Sequence, residues 1–440
     1  MSSIHYCANV LATAFAAGDF ETDKLVQCGS RVLAKRGRWL RPLAGRLASA
    51  LGGATRPRKS EIVAFLLADP GFRRAYENDR IQFANILGAL PEMSPVATAT
   101  TWRGYRELST PHELSSWLGL DAGQLAWLAD PRQLVSKQNN TKLHHYRYRL
   151  LPKRPGEFRL IEAPKPRLKA IQRMILEDIL THVPPHEASH GFRRGRSIST
   201  FATPHINKAV VLKMDLEDFF PSIGASQVHA IFRFLGYPES VADLLTGLCT
   251  TATPQGIWPS KVPGEKHYNR QQVSRYTRRH LPQGAPTSPA LANLCAYRLD
   301  CRLFSLAETV SASYTRYADD IVFSGDEHFA RVSRRFSTHV AAVALEQGYA
   351  VHFRKTRIMK QATRQRIAGL VVNQRLNISR ADYDLLKAIL TNCVRHGPDS
   401  QNRDAHANYR SHLEGRVSFV ERITPDRGRR LRELLERIDW

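Results

Sequence analysis

The sequence predicts an α+β protein, helical at both ends with paired strands between. Three observations carry that prediction. Apolar residues recur at three- and four-residue spacing over the first hundred positions, as in 61–67 and 81–90. Between 145 and 372, β-branched and aromatic runs flank turn residues, the pattern of hairpins and of one buried strand. Beyond 373 the helical period returns.

The bulk properties fit that class. With 440 residues, 42% apolar and 9% aromatic, the chain supports two or three globular domains. Lys and Arg total 64 against 40 Asp and Glu, a formal charge of +24. So large an excess calls for a polyanionic partner, nucleic acid before anionic membrane. Cys7, Cys28, Cys249, Cys295, Cys301 and Cys393 are scattered without a CxxC pair, which predicts reduced thiols and no structural zinc. The apolar stretch 10–17 has no Lys or Arg before Lys24, so it reads as a first helix and not a signal peptide. No apolar run is long enough to cross a bilayer. The expectation is a soluble, cytoplasmic protein with no membrane partner.

In chain order, residues 1–100 form a helical extension whose basic stretch, 31–59, either touches a phosphate backbone or is the wet face of a helix. A shift to Pro, Ser, Thr and Ala near 90–101 marks a boundary. Residues 101–130 form a small helical unit, with helix starts at Thr110-Pro111 and Asp121. Strands at 145–149 and 158–161 enclose a basic turn, 153–157, whose Lys153 and Arg154, with Arg159 beyond it, either meet a triphosphate or are solvated. A helix spans 167–182. The loop HGFRRGRS (190–197) offers glycines for close approach and Arg193, Arg194 and Arg196 for phosphates, or it is a wet surface loop.

The run VVLKM (210–214) is a buried strand that delivers Asp215 at its end, before a helix at 221–234 for which Asp218 suits as cap. Residues 251–279 interleave Trp258 and Tyr276 with Lys and Arg, a pattern suited to stacking on single-stranded nucleic acid or to a disordered basic loop. LPQGAPTSP (281–289) opens a helix over 290–307. The stretch SYTRYADDIVFS (313–324) is a hairpin with Asp319 and Asp320 at its tip; Asp suits turns, so the tip alone is weak. A helix at 329–347 ends at Gly348, 367–372 is one more strand, and Ser379 with Asp382 caps a helix closed by Gly397-Pro398. Helices at 405–423 and 428–438 complete the chain.

One carboxylate at a strand end and two at a hairpin tip can converge in a sheet. Three converging carboxylates hold divalent cations for in-line phosphoryl transfer, and Mg2+ suits an all-oxygen site.

With these residues in hand, the chain resembles a bacterial retron-type reverse transcriptase. The resemblance runs from about 112 to the C-terminus. It rests on RLIEAPKPRLKAIQR (159–173), HGFRRGRSI (190–198), KMDLEDFFPSI (213–223), LPQGAPTSPALANL (281–294), RYADDIVFSG (316–325) and GLVVNQRLNISR (369–380), in the family's order. It implies a right-hand polymerase fold, with fingers and palm over 131–372 and a helical, RNA-binding thumb over 373–440. Asp215, Asp319 and Asp320 would bind two Mg2+ ions with the Leu216 backbone nearby, and Lys355 would act as general acid toward pyrophosphate. Arg159 and Lys153 would hold the triphosphate, Phe220 would exclude a ribose 2′-OH, and Gln283 and Gly284 would line the nascent base pair. Arg193, Arg194, Arg196, His205, Gly369, Asn373 and Arg380 would contact RNA.

The resemblance further implies a cognate structured RNA as template and primer, dNTP substrates and an RNA–DNA hybrid product. It also implies 2′-OH priming, multicopy single-stranded DNA, and a role in anti-phage defence with an effector protein. Two stretches depart from the retron pattern. Phe201-Ala202-Thr203-Pro204-His205 stands where Asn-Ala-x-x-His is usual, and Ile367-Ala368-Gly369 stands where Val-Thr-Gly is usual. Both elements are associated with the cognate RNA, which places the chain in a divergent branch. The alternatives are a reverse transcriptase of group II intron or other defence type, and a non-catalytic RNA-binding protein on the same fold.

Overall fold

The computed structural model describes residues 3–16, 20–35, 37–52, 57–78, 81–84, 92–102, 104–137, 144–152, 158–258 and 270–440. The chain divides into two units, each assembled from two segments. Met1–Pro184 with Phe220–Cys295 forms the first, and Pro185–Phe219 with Ala296–Trp440 the second. Helices and antiparallel sheets coexist, as the sequence predicts.

In the first unit the helices Ile4–Ala16, Thr22–Val32, Leu40–Leu51, Lys59–Ala68 and Pro70–Glu77 enclose a core of their own, with Leu11, Phe15, Leu25, Leu43, Leu47, Ile62, Leu66 and Phe72 fully buried. Burial of apolar faces at helical spacing is what holds such short helices together. Residues 81–84, expected to begin a helix, are extended instead. Phe83 bridges Leu33, and Ala84 N–H donates to Val32 O. Residues 85–90 lie outside the described part.

Further along this unit, Thr110 caps Pro111–Leu118 and Asp121 caps Ala122–Ala129, both as expected. Strands β1 (Tyr146–Pro152) and β2 (Phe158–Pro164) pair antiparallel, with Tyr146 opposite Pro164 and Pro152 opposite Phe158. Their turn, 153–157, lies outside the described residues. Helices Pro166–Asp178, Ala225–Phe234, Glu239–Cys249 and Ser288–Cys295 complete the unit. Buried Gln172 binds them to the hairpin, donating to Tyr146 Oη at 3.0 Å and Leu248 O at 2.8 Å.

The second unit is built on a four-stranded antiparallel sheet in the order β4 (Ser313–Tyr317), β5 (Asp320–Gly325), β3 (Val210–Asp215), β6 (Arg357–Lys360). β3 is central and its Val210, Val211, Leu212 and Met214 are fully buried, which explains an apolar run broken only at Lys213. Helix Glu327–Glu346 packs on the sheet. Helices Arg380–His396, Tyr409–Ile423 and Pro425–Glu436 share one core with it, in which Leu390, Leu413, Val417 and Leu431 join Val211 and Val322.

Three further expected elements differ. The helix at 221–234 is two, Phe219–Ser222 and Ala225–Phe234, and Asp218 sits just before the first with φ +44. The helix at 290–307 breaks at Ala296 into Ser288–Cys295 and Tyr297–Glu308. The single strand at 367–372 is a tight hairpin of β7 (Arg366–Ile367) and β8 (Leu370–Val371), turning at Ala368 and Gly369, with β9 (Asn377–Ile378) alongside. Among the described residues no helix is long and apolar enough to cross a membrane.

Candidate active site

The second unit brings the sequence-predicted carboxylates to one edge of its sheet. In the β3–β5 register Asp215 lies opposite Asp320, and Leu216 N–H donates to Asp319 O at 2.9 Å. Asp215 is fixed from its other side, since its carbonyl accepts from His352 N–H at 2.8 Å. The tip between β4 and β5 is tight, with Ala318 at φ +55.

Two lysines answer the negative charge. Lys355 Nζ lies 2.6 Å from Asp215 Oδ1, and Lys213 Nζ lies 3.0 Å from Asp320 Oδ2. Asp319 has neither, and its carboxyl is pushed up by burial and then by the charges of Asp215 and Asp320. Among the described residues no group of three His, Cys, Asp or Glu is placed to hold an ion. Of the three carboxylates expected to converge unpaired, Asp215 and Asp320 are each turned onto an ammonium group. The donor set nevertheless fits a hard divalent cation. It is all oxygen, and Asp215 and Asp320 set further negative charge beside the buried Asp319 carboxyl.

The hairpin is gripped from beneath by a buried arginine. Arg316 and Asp300 are both fully buried and pair in a fork, Nε to Oδ1 at 2.7 Å and Nη2 to Oδ2 at 2.6 Å. Arg316 also donates through Nη1 to Ala318 O at 3.2 Å and through Nη2 to Ser189 Oγ at 3.2 Å. Tyr314 Oη donates to Asp300 Oδ1 at 2.8 Å. Burial works against the guanidinium charge, but Asp300 more than offsets it and holds Arg316 above its ordinary range. One side chain thus ties the carbonyl next to Asp319 to the floor of the sheet.

Several expected RNA contacts lie elsewhere than a surface. His205 is fully buried, with Nε2 2.7 Å from Thr315 Oγ1 and Nδ1 2.6 Å from Ser324 Oγ. The Thr315 hydroxyl donates to Phe201 O, so it accepts from Nε2–H and leaves Nδ1 to accept from Ser324. Burial depresses the ring to about 3, so this neutral histidine pins β4 to β5 and offers RNA nothing. Asn373 is likewise spent inside its own loop, accepting from Gln365 N–H and donating to Gln361 O and Thr363 O. Arg193 and Arg196 both pair with Glu187, at 2.9 and 2.6 Å. Arg194, Gly369 and Arg380 are exposed, the last beside Asp384 at 3.5 Å.

The first unit holds the residues expected at the nucleotide. Arg159 is exposed on β2, Phe220 is half-buried and Gly284 is exposed. The Gln283 loop is stapled to β2 through a buried ion pair. Glu162 Oε2 lies 2.8 Å from His280 Nε2, Thr253 Oγ1 donates to Glu162 Oε1 at 2.7 Å, and Glu162 N–H donates to Gln283 O at 2.9 Å. Burial disfavours a charged His280, yet Glu162 holds its pKa above the ordinary value. Gly284 has φ +136 and a Cβ there would lie 3.0 Å from Glu162 O, so the approach needs glycine. Lys153 lies outside the described residues. So do Lys261, Lys266, His267 and Tyr268, while Tyr276 is buried against Trp258 and His280, not set out for stacking on bases.

Sequence reasoning missed Lys213, Arg316, Asp300, Glu162 and His280. Lys213, Glu162 and Arg316 lie inside the motifs quoted above and Asp300 and His280 outside them, but for each the partner that gives it meaning comes from another element. Lys213 and Arg316 each leave a trace, a cation within a strand otherwise without charge before its end.

Residues 151–372 match the family model described as reverse transcriptase (RNA-dependent DNA polymerase). The chain is 36% identical over 361 residues to the retron Mx65 reverse transcriptase of Myxococcus xanthus, covering 80% of this chain and 76% of that protein. Against the retron Mx162 reverse transcriptase of the same organism it is 35% identical, covering 74% of this chain and 66% of the relative. The retron Ec86 reverse transcriptase of Escherichia coli is 30% identical, with 67% and 82% covered. The chain belongs to the retron reverse transcriptases. This reverse transcriptase is therefore an RNA-directed DNA polymerase, and its family match contains Asp215, Asp319, Asp320 and Lys355.

Proposed function

We propose that this reverse transcriptase copies part of a cognate structured RNA into single-stranded DNA at the Asp215–Asp319 centre, starting from a 2′-hydroxyl of that RNA. The reading is carried by the register that sets Asp215 opposite Asp320, with Asp319 O on Leu216 N–H. Asp215, Asp319 and Asp320, with the Leu216 carbonyl, would hold two Mg2+ ions. When bound, the ions lower the pKa of the attacking hydroxyl and neutralise charge on the phosphates.

The chain's own residues supply the remainder. Lys213 and Lys355 keep the carboxylate edge compact before substrate arrives. Lys355 then leaves Asp215 to protonate the departing pyrophosphate. Arg159, with Lys153, holds the triphosphate, and Phe220 excludes a 2′-OH on the incoming nucleotide. Gln283, its loop stapled to β2 by Glu162, lines the new base pair with Gly284. Residues 131–372 serve as fingers and palm. Residues 373–440 serve as the thumb that holds the RNA, with Arg194, Gly369 and Arg380 offering exposed contacts. The product is multicopy DNA branched to RNA, made in the cytoplasm and serving phage defence with an effector.

The test is to express the chain with its flanking DNA and isolate small nucleic acid. A discrete single-stranded DNA that shortens with RNase, absent from Asp215→Asn and Asp319→Asn, is expected. Incorporation of dNTPs on a generic RNA template without such a species would refute 2′-OH priming and leave the polymerase.

A further inference from the structure

The segment beside the carboxylate hairpin carries an aromatic ring that the reaction above does not use. Arg316 N–H donates to Ala188 O and His190 N–H to Arg316 O, both at 2.8 Å, so residues 188–190 run along β4. Gly191 then presses on the tip, where a Cβ would stand 2.7 Å from Ala318 N. At the next residue the backbone turns to φ +58, a conformation that bulky side chains rarely adopt. That turn carries out the Phe192 ring, which is 52% exposed, with its centroid 6.1 Å from the Tyr317 ring.

A disfavoured backbone and a half-exposed apolar ring both oppose folding, and here they coincide at one residue. Strain that the surroundings enforce tends to sit where a molecule is bound or transformed. The ring's neighbours favour a polyanion. Arg193 and Arg196 are held on Glu187, while Arg194 is exposed. An aromatic face next to arginines is how proteins receive an unstacked base and its phosphate.

We propose that Phe192 is a base-stacking residue, whose exposed face receives the nucleobase at the reacting end of the primer strand. The commitment to the primer follows from position. Phe192 packs on Tyr317, two residues before Asp319, and the carboxylate turn is where the reacting end arrives. The inference rests on the reading of Asp319 as part of the polymerase centre. Tyr317, wedged between Phe192 and Phe201 at 6.1 and 5.6 Å, fixes the angle of the platform.

The test uses the full chain with a dideoxy-terminated DNA primer on an RNA template, 2-aminopurine being the terminal primer base. Wild type should change the probe's fluorescence on binding. Phe192→Leu, which keeps an apolar cover on Tyr317 but removes the π face, should lose most of that change and weaken primer–template binding about tenfold. Phe192→Tyr should restore both. Should Phe192→Leu not fold, Phe192→Trp carries the test, since its own emission must be quenched by the duplex. Wild-type fluorescence and affinity in Phe192→Leu, an unquenched Phe192→Trp, or a response confined to probes in the template strand would overturn the proposal. Asp319→Asn separates the two readings. It should abolish incorporation and keep the probe signal, and an Asp319→Asn enzyme that polymerises normally would refute the centre itself.

Discussion

Arg316 couples fold and chemistry through one guanidinium. Its pair with Asp300 is wholly buried, so removing either charge leaves the other stranded in a dry interior. Asp300→Asn is expected to lower stability by about 3–5 kcal/mol, read from urea unfolding, with Arg316→Met close behind. An unfolding midpoint within error of wild type for either would contradict the buried clamp. Lys213 differs because its contact with Asp320 is partly open to solvent, at 26% and 25% side-chain exposure. Lys213→Met should barely affect stability yet leave the carboxylate edge more negative. Mn2+ binding measured by electron paramagnetic resonance should tighten up to about fivefold, the upper range for a partly exposed pair. Weaker Mn2+ binding would mean that the lysine shapes the site and does not merely discharge it.

At the scale of elements, the Gln283 loop and strand β2 act as one piece. Gly284→Ala forces a side chain into φ +136 and against Glu162 O. The expected result is at least a tenfold fall in kcat/KM for dNTP, with RNA affinity preserved, measured by single-nucleotide incorporation and filter binding. Equal losses in both would point to general unfolding of the loop. The hairpin at 313–325 is legible because two runs rich in β-branched and aromatic residues flank a tight Ala-Asp-Asp turn. Ala296 gave no warning of a helix break, since alanine is the best helix former, and only packing decides there. Residues 367–372 read as one strand because six apolar or small residues in a row look alike whether straight or folded at Ala368-Gly369. His205 was placed on RNA from pattern alone, whereas its partners Thr315 and Ser324 come from strands far along the chain. Carboxylate positions were readable; the company they keep was not.

For the whole molecule, charge and pH set the operating range. A formal excess of +24 makes RNA binding strongly salt-dependent. A log–log plot of affinity against salt should be linear and steep, and a flat one would exclude phosphate contacts as the main attraction. Acid should destabilise the fold through its buried histidines. His205 is depressed from 6.5 to about 3 by burial, and His190 to about 4 by burial and then by Arg196 and Arg193. Between 6.5 and those values the unfolded chain binds protons that the folded chain refuses, so stability falls as pH drops through that window. The urea midpoint should therefore be lower at pH 5 than at pH 7.5, and His205→Gln should flatten the difference. His280, raised by Glu162, acts oppositely; its contribution is present in acid and fades as pH rises through its folded value.

The order in which the sheet's strands are encoded also governs when the enzyme comes into being. β3 is central, yet its neighbours β5 and β6 are encoded far downstream, and the helices that close its core come last of all. On the ribosome, Asp215 emerges on a strand with both edges bare and waits through the synthesis of much of the first unit before Asp320 can pair with it. The first unit's N-terminal helices, by contrast, have their whole core in hand at once. A nascent chain thus has its N-terminal helical core encoded in full well before Asp320 can pair with Asp215.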